Sequence, residues 1–542
     1  MKEAVSDFIF RLTEGNREVA DLCAGAVGVL EDGDVCLPVD ETQCRLLRET
    51  PAVAAFVERD TPVEAVMAPF VVAGGTLLYT RRNWVYERRV RDWVAARAGT
   101  PPGGEAVPAL PDDPFYAGLN PAQRSAVIAM SNARFSILTG GPGTGKTFTI
   151  ARAVKFVRDR RPGLRLGLAA PTGKAKARMM DSLGKALAGL RIDVAPASTI
   201  HSLLGPKADL VTFRHNRGNP LALDWLVVDE ASMIGLPLMA KLLDALPDTC
   251  RLTLVGDADQ LASVERGRVF GDLCRLPGVA VSRLGESRRF PPDGDIARLA
   301  AAVNGNDAGA ALEILGKNSG LVSYVDLGRL SGGDVFDPAK WPGFEDRVRA
   351  GFQAFAAAGR AKNGAGTPAS VEEALAHLDD FRVLCAMRHG PFGSEQIAAW
   401  IRRTLGRNCP VPMMVVRNDS GLGVENGDVG VVMPDDPKTL HLPGGRAVRI
   451  ELLPGAEIAF ASTVHKAQGS EFRDVAIVLP PVSGEAGNTD EGGSARLLTR
   501  EILYTAITRT QSRVGLWASA DAVRHCAATP VRRVSGLLAP ES

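Results

Sequence analysis

The chain of 542 residues has the length of roughly three to four average domains. Its 45% hydrophobic and 23% charged residues are typical of a globular protein and exclude wholesale disorder. With 63 basic and 62 acidic residues the net charge is +1, which excludes a histone-like mode of nucleic-acid binding but leaves room for a narrow basic channel.

The sequence also bears on the cellular compartment. No apolar run approaches the roughly 18 residues that a membrane-spanning helix needs. Residues 1–15 mix acidic with apolar side chains and therefore lack the apolar stretch of a secretory signal. The eight cysteines are scattered without a CxxC spacing, which is typical of reduced, buried thiols and not of a disulfide framework or a zinc site. We expect a cytoplasmic protein with no membrane partner.

The first domain in chain order is expected over residues 1–105. Apolar residues at helical spacing predict a mainly helical unit, with a short strand or two before an amphipathic helix in residues 71–98. The stretch 100–114 is rich in proline, glycine and acidic residues, and it is the best linker in the chain. From about residue 115, short apolar runs alternate with helical patterns. This alternation predicts a doubly wound α/β domain over residues 106–300.

A second α/β pattern resumes at residue 381 and predicts another domain over residues 301–542. Within it, residues 410–458 are dense in β-forming residues, glycine and proline, a composition typical of a small inserted β-barrel. Two stretches, about 330–370 and the acidic, glycine-rich 480–495, are predicted to be loops.

The strongest motif follows the strand FSILT and precedes a helical pattern. Its residues are Gly140, Gly141, Pro142, Gly143, Thr144, Gly145, Lys146 and Thr147. Glycines allow the backbone N–H groups to wrap phosphates, and the helix that follows adds positive potential. We expect Lys146 to reach the β- and γ-phosphates of ATP and Thr147 to bind Mg²⁺.

Polar residues that could catalyse hydrolysis follow two further apolar strands. Asp229 and Glu230 end the strand WLVV, where we expect Asp229 to hold Mg²⁺ through its water shell and Glu230 to act as the general base. Gln260 follows the next strand and could sense the γ-phosphate, although a simple polar turn explains it equally well in isolation. Arg289 and Arg509 are candidates to stabilise charge on the transferred phosphate.

The order of these motifs resembles that of the superfamily 1 helicases, and most closely that of the RecD subunits of bacterial RecBCD complexes. The segments that match, in the family's order, are 119–127, 140–147, 168–179, 198–205, 227–234, 255–265, 286–290, 462–472 and 503–509. The resemblance implies an α/β fold with two RecA-like P-loop motor domains and ATP between them. The inserted β-barrel also fits this class.

The resemblance further implies roles for single residues. Gln123 would contact the adenine and Glu471 the ribose, while Arg289 and Arg509 would be arginine fingers from the second motor domain. The residues at positions where the family grips single-stranded DNA are Pro171, Thr172, His201, Thr463 and His465. Without their motifs, these threonines and histidines would be equally well explained as helix caps and core residues.

The activity implied is that of an ATP-dependent 5′→3′ DNA helicase that acts on single- and double-stranded DNA. Residues 76–89 resemble the segment by which RecD docks onto RecC, so the resemblance implies a heterotrimer with RecB- and RecC-like subunits that processes DNA ends for recombinational repair. A stand-alone RecD-like helicase is the alternative. The hairpin predicted near residues 205–222 is either a strand-separating pin or an exposed basic turn, and the sequence favours neither.

Two other functional classes find little support. A metal-dependent nuclease would need separated acidic motifs, whereas the only similar stretch, residues 434–438, is contiguous and predicted to be a hairpin turn. A scaffold that binds ATP only as a switch would have no need of Glu230, Arg289 and Arg509.

Overall fold

Four β-sheets organise the described part of the chain, and two of them are entirely parallel. The computed structural model describes residues 2–13, 15–58, 60–99, 109–188, 195–207, 212–330, 332–359, 370–419, 421–482 and 496–538. The predicted linker at 100–108 and most of the acidic loop, at 483–495, lie outside the described residues. None of the described helices is long and apolar enough to cross a membrane.

The helices are α1 Lys2–Leu12, α2 Arg17–Gly28, α3 Glu41–Arg48, α4 Arg81–Ala95, α5 Pro114–Ala117, α6 Pro121–Asn132, α7 Lys146–Arg160, α8 Gly173–Ala186, α9 Ile200–Leu204, α10 Leu236–Asp244, α11 Val269–Leu273, α12 Asp295–Asn304, α13 Ala308–Gly316, α14 Phe344–Gly351, α15 Gln353–Ala358, α16 Val371–Ala376, α17 Ser394–Leu405, α18 Arg500–Ile507 and α19 Ala520–Ala528.

The strands are β1 Leu37–Pro38, β2 Ala54–Val57, β3 Phe70–Ala73, β4 Leu77–Thr80, β5 Phe135–Gly140, β6 Leu166–Ala170, β7 Ser198–Thr199, β8 Trp225–Val228, β9 Arg251–Gly256, β10 Ala280–Leu284, β11 Val322–Asp326, β12 Phe381–Cys385, β13 Val411–Met414, β14 Val429–Val432, β15 Thr439–Leu442, β16 Arg446–Arg449, β17 Glu457–Ile458, β18 Ala461–Thr463, β19 Phe472–Val478 and β20 Thr510–Ala518.

The N-terminal domain contains more sheet than the sequence predicts. Its helices α1–α4 accompany a four-stranded mixed sheet in the order β1-β4-β3-β2. The strands are only two to four residues long, too short for a clear alternating pattern. The expectation of a mainly helical unit with a strand or two therefore understated the sheet.

Strands β5–β10 form a six-stranded parallel sheet in the order β10-β5-β9-β8-β6-β7, which we call the first lobe together with its helices. Every residue of β8 and β9 is buried, as the apolar runs predict for strands covered on both faces. All the strands point the same way, so the loops after β5, β8 and β9 meet at one edge of the sheet.

The second lobe is a five-stranded parallel sheet, in the order β11-β20-β19-β12-β18, with its helices. Helix α12 spans the domain boundary predicted at residue 300, and its buried residues pack in the core of the second lobe. The predicted loop at 330–370 is wrong in part, because α14 and α15 form there and bury Phe344 and Phe355. Residues 360–369 lie outside the described part.

The segment predicted as an inserted barrel forms an antiparallel five-stranded sheet over residues 411–458, the inserted sheet, in the order β16-β15-β14-β13-β17. Within the described residues, β16 and β17 are not paired with each other, so the sheet is open. Its own core contains Val415, Leu440 and Leu442. The predicted bounds of the insertion, residues 410–458, and its closure into a barrel stay predictions.

The N-terminal domain has a core of its own but also packs against the first lobe. Helix α4 packs against α10, and Trp84, Val90 and Val94 share one hydrophobic cluster with the strands of the first lobe. Arg89 Nη1 also lies 2.5 Å from Asp244 Oδ2 on α10. The residues separated by the predicted linker are thus joined through a common core.

The C-terminal residues 530–537, which we call the strap, run from the second lobe back to the N-terminal domain. The amide of Val35 donates to the carbonyl of Val534 at 2.9 Å. The amide of Gly536 and the hydroxyl of Ser535 each donate to Glu87 Oε2 at 3.1 Å. Glu87 is buried, and burial raises its pKa. The strap thereby ties the end of the chain to α4.

Candidate functional site

The phosphate-loop motif forms a tight turn between β5 and α7. Gly143 and Gly145 have φ values of 77° and 83°, a region that non-glycine residues rarely adopt. A Cβ atom on Gly143 would lie 2.5 Å from Cβ of Arg289, so a side chain there would collide with the neighbouring segment. Lys146 Nζ donates to the carbonyls of Gly140, at 2.7 Å, and Gly141, at 3.1 Å. The ammonium group is therefore held at the loop itself.

The predicted acidic pair lies at the carboxyl end of β8, facing this loop. The amide of Glu230 donates to Asp229 Oδ1 at 2.8 Å. Glu230 has φ 51° and ψ 38°, a left-handed conformation that costs a non-glycine residue energy and is concentrated at functional sites. Burial, together with the charge of Glu230, raises the pKa of Asp229 to about 6, although Lys146 opposes the shift.

The residues at this edge suit Mg²⁺. The Asp229 carboxylate and the Thr147 hydroxyl both line the cleft and offer the oxygen ligands that Mg²⁺ prefers. Within the described residues, no group of three or more His, Cys, Asp or Glu side chains could hold a metal ion. A magnesium ion here would therefore depend on phosphate oxygens and water for its remaining ligands.

Gln260 is positioned by a network that crosses between the lobes. Its Nε2 donates to Asp257 Oδ2 at 3.1 Å, and the hydroxyl of Tyr504 on α18 donates to the same oxygen at 3.3 Å. The amide of Leu261 donates to Thr505 Oγ1 at 3.0 Å, also on α18. Burial raises the pKa of Asp257. Movement of α18 relative to the first lobe would therefore act directly on the segment that carries Gln260.

Two arginines from different elements meet at Glu471. Both Arg178 Nη2, on α8, and Arg289 Nη2 contact Glu471 Oε1. Burial alone would raise the pKa of Glu471, but the two guanidinium groups outweigh it and lower the pKa to about 2. Glu471 is thus an ionised counter-charge that holds both arginines beside the phosphate loop.

Arg509 lies two residues after the end of α18 and is almost fully buried. Its Nη1 donates to the carbonyl of Ser470 at 3.2 Å, and its Nε donates to that of Thr505 at 3.3 Å. Burial lowers the pKa of Arg509, whereas the carboxylates of Glu230 and Glu471 act in the opposite direction. The second lobe therefore presents a desolvated guanidinium to the acidic pair of the first.

These groups surround one cleft of about 230 Å³. The predicted residues that line it are Pro142, Gly143, Thr144, Gly145, Lys146, Thr147, Asp229, Glu230, Gln260, Arg289, Glu471 and Arg509. Residues separated by more than half of the sequence thus meet around a single cavity. The arrangement can bind an anion at the loop, hold a cation beside it and polarise a reacting water.

The positions of Gln123 and Arg289 each need a separate description. Gln123 does not line the cleft, because its side chain accepts from the amide of Asn120 at 3.2 Å and donates to the carbonyl of Thr144 at 3.1 Å. Its contact with adenine stays a prediction. Arg289 does not come from the second sheet but from the segment between β10 and α12, whose Arg288 amide donates to the carbonyl of Gly143.

The candidate DNA-binding residues lie in several different surroundings. Pro171 and Thr172 directly precede α8, where Thr172 Oγ1 accepts from the amide of Ala175 at 3.2 Å. Thr463 Oγ1 accepts from the amide of Lys466 at 3.3 Å. Both threonines therefore cap the backbone that follows them. This agrees with their explanation as capping residues and equally with a contact to DNA.

The two histidines lie near these residues along the chain or the sheet: His465 is two residues after Thr463, and His201 follows β7, whose Thr199 pairs with Ala170 before Pro171. His201 lies on α9, with its ring centroid 5.8 Å from that of Phe213 in the predicted hairpin. His465 lines a second cavity with Leu261 and Arg533, and both burial and Arg533 lower its pKa. A common track for a DNA strand along these residues stays a prediction.

Comparisons with known proteins show which families this chain resembles. Residues 123–266 match the family described as AAA domain, and residues 458–517 match the UvrD-like helicase C-terminal domain. The RecBCD enzyme subunit RecD of Mycolicibacterium smegmatis is 36% identical over 85% of this chain and 82% of its own length. RecD of Mycobacterium tuberculosis is 35% identical over 97% and 91%. The chain belongs to the RecD family.

Two further matches differ from these in length or similarity. The ATP-dependent RecD2 DNA helicase of Deinococcus radiodurans is 30% identical over 90% of this RecD-family chain but over only 61% of its own length. The crystal structure of Bacteroides Pif1 bound to ssDNA is 15% identical, covering 74% of this chain and 93% of its own, with a TM-score of 0.40.

Arg178 is the functional candidate of this RecD-family chain that sequence reasoning missed. It lines the cleft beside Met179 and Ser182 of the same helix. Its position within the matched segment 168–179 was the available signal, but only the fold brings it to Glu471, 293 residues further along the chain (471 − 178).

Proposed function

We propose that this chain is the RecD-type subunit of a RecBCD-type complex, an ATP-dependent helicase that moves 5′→3′ along DNA at double-strand ends. The observation that carries the proposal is the cleft, where Lys146 and Glu230 of the first lobe face Arg509 of the second. A nucleotide held there contacts both lobes, so its hydrolysis changes how the lobes are held together.

Each catalytic candidate has a chemical role that its position supports. Lys146 and the loop amides would bind the phosphates, and Glu230 would orient the attacking water. Arg289 and Arg509 would stabilise the charge that accumulates on the transferred phosphoryl group. Mg²⁺, held through Thr147 and Asp229, supplies further charge neutralisation when bound.

Coupling of this chemistry to movement rests on the contacts between α18 and the loop after β9. Tyr504 and Thr505 belong to the helix that ends beside Arg509, and they bond to Asp257 and Leu261 on either side of Gln260. A change at the phosphate is therefore passed to the relative position of the lobes. Repeated opening and closing would let two sets of DNA contacts alternate along the backbone, independently of base sequence.

The proposed partner subunits, and the alternative of a stand-alone helicase, rest on the relatives that this chain resembles. The two mycobacterial RecD proteins are named as subunits of the RecBCD enzyme and match over most of their lengths, which supports RecB- and RecC-like partners. A stand-alone helicase is the second candidate, favoured only by the RecD2 relative. The nuclease hypothesis gains nothing, because residues 434–438 connect β14 to its antiparallel neighbour β15.

The test measures ATP hydrolysis and DNA unwinding, together with the proteins that co-purify with the chain from its native source. We expect ATP hydrolysis that is stimulated by single-stranded DNA and unwinding of a duplex with a 5′ tail, but not of one with a 3′ tail. Lys146→Gln is expected to abolish both activities while leaving the thermal unfolding temperature unchanged. Lys185→Gln, at an exposed ion pair on α8, serves as the matched control.

Two results would contradict the proposal. If Lys146→Gln unwinds the 5′-tailed duplex at the wild-type rate, the nucleotide cleft is not the motor. If the chain purified from its native source carries no RecB- or RecC-like subunits yet unwinds DNA on its own, the stand-alone alternative is correct.

A further inference from the structure

Helix α8 carries three basic residues that each pair with a carboxylate from the second half of the chain. Lys174 Nζ lies 3.6 Å from Asp379 Oδ1, and Lys176 Nζ lies 2.8 Å from Glu425 Oε1. Arg178 contacts Glu471 at the nucleotide cleft. One helix of the first lobe is therefore held by acidic groups along its first two turns, and the central pair involves the inserted sheet.

The Glu425 side chain is seated against the start of this helix. A Cβ atom on Gly173 would lie 2.0 Å from Glu425 Oε2 and 2.9 Å from Glu425 Cβ, so only glycine at this position leaves room for the carboxylate. The amide of Glu425 donates to Asp428 Oδ2 at 3.1 Å, and the adjacent Val424 is buried in the core of the inserted sheet. The backbone of Glu425 is thus fixed, and its carboxylate is directed at α8.

The same place is where this chain is expected to hold DNA. Gly173 directly follows Pro171 and Thr172, and Lys176 lies one helical turn further on. A carboxylate and a phosphodiester are both singly charged oxyanions that accept from a lysine ammonium group. The Lys176 and Glu425 side chains are 29% and 28% exposed, and an ion pair this accessible to water is weak enough to be exchanged.

We propose that Lys176 is a further contact to a phosphate of the DNA strand, and that Glu425 occupies this place when no strand is bound. The inference rests on the proposed function, because it needs a strand to pass the start of α8. Binding of the strand exchanges the pair between Lys176 and Glu425 for one between Lys176 and a phosphate. The inserted sheet then loses its ionic contact with α8 in the same step.

The experiment measures binding of a fluorescently labelled oligothymidylate by anisotropy over a range of salt concentrations, using the full chain without nucleotide. Glu425→Gln removes the competing charge and is expected to tighten binding roughly three- to tenfold. Lys176→Gln is expected to weaken binding and to reduce the slope of log K against log salt by about 0.7, the value for one phosphate contact on a single strand.

A double variant makes the test specific. If Glu425 acts through Lys176, then Glu425→Gln has no effect on affinity in the Lys176→Gln background. Glu451→Gln, an exposed carboxylate of the same insertion, is the matched control and leaves the affinity unchanged. Thermal unfolding of every variant shows whether it is folded.

The outcomes separate this inference from the proposed function. Binding by Glu425→Gln that equals or is weaker than wild type would overturn the exchange, and so would an equal gain in the Lys176→Gln background. If wild type binds the strand but shows no strand-stimulated ATP hydrolysis, the helicase proposal fails. The DNA affinities of the variants would still show whether Glu425 competes with the strand for Lys176. A wild-type chain that binds no strand would overturn both.

Discussion

Replacing Glu471 by glutamine tests whether its charge holds the two arginines at the cleft. The fall in the pKa of Glu471 from 4.5 to about 2 corresponds to roughly 3 kcal/mol of stabilisation of the ionised carboxylate in the folded chain. Glu471→Gln keeps the size of the side chain but removes this charge. We therefore expect the nucleotide-free protein to lose about 3 kcal/mol in the free energy of unfolding of the unit that contains the cleft.

The dependence on pH follows from the direction of the shift. Because folding lowers the pKa, the stabilisation is complete above pH 4.5 and is lost as the pH falls towards 2. The difference between wild type and Glu471→Gln should therefore be constant between about pH 5 and pH 8. In saturating nucleotide and Mg²⁺, the guanidinium groups of Arg178 and Arg289 can pair with the phosphates. The difference in the free energy of unfolding between wild type and Glu471→Gln should then become smaller.

Urea unfolding at several pH values, with and without nucleotide, measures these differences. The matched control is Glu345→Gln, which removes an exposed carboxylate that pairs with Arg349 on α14, and it is expected to cost less than about 1 kcal/mol. A loss for Glu471→Gln no larger than that of the control would refute the assignment of Glu471 as a buried counter-charge. So would a difference that disappears between pH 8 and pH 5.

Two further predictions concern the general base and the strap. Glu230→Gln should lower kcat for ATP hydrolysis roughly 10²- to 10⁴-fold while leaving nucleotide binding intact, measured by steady-state kinetics and equilibrium titration; a variant with normal turnover would assign the base elsewhere. A chain ending at Pro530 loses the bonds of Ser535 and Gly536 to the buried Glu87. Its free energy of unfolding should fall by about 1–3 kcal/mol for each buried group left unpaired, and its unfolding temperature should fall with it. An unchanged unfolding temperature would show that the strap contributes nothing to stability.

The parts of the site that the sequence predicts are those that local patterns encode. Strands β8 and β9 are recognisable because a strand buried on both faces must be apolar throughout, and their carboxyl ends must then meet at one edge. The phosphate loop is recognisable because its glycines are required by the backbone, as the positive φ angles of Gly143 and Gly145 confirm.

The parts that the sequence does not predict depend on packing between distant segments. Arg178 looks like an ordinary surface charge until the fold joins it to Glu471. The resemblance implies a ribose contact for Glu471 but no pairing with Arg178 or Arg289. The bond from the side chain of Gln123 to the carbonyl of Thr144 in the phosphate loop is a contact that no local pattern predicts. The sequence does not predict helix α15. Its alanines favour a helix, but the segment has only six residues and glycines lie on both sides of it.

The strap connects the second lobe to the N-terminal domain, which also packs on the first lobe, so these three units form a closed loop of contacts. Residues 530–537 bond to Asp34 of the N-terminal domain and, through Arg533, to the carbonyls of Glu265 and Gly267 in the first lobe. The N-terminal domain also packs on the first lobe through α4. Rotation of one lobe against the other would therefore strain or break the strap contacts, or move the N-terminal domain with the second lobe. A protein bound to the N-terminal sheet would then be displaced in each cycle of ATP hydrolysis, although it makes no contact with the nucleotide.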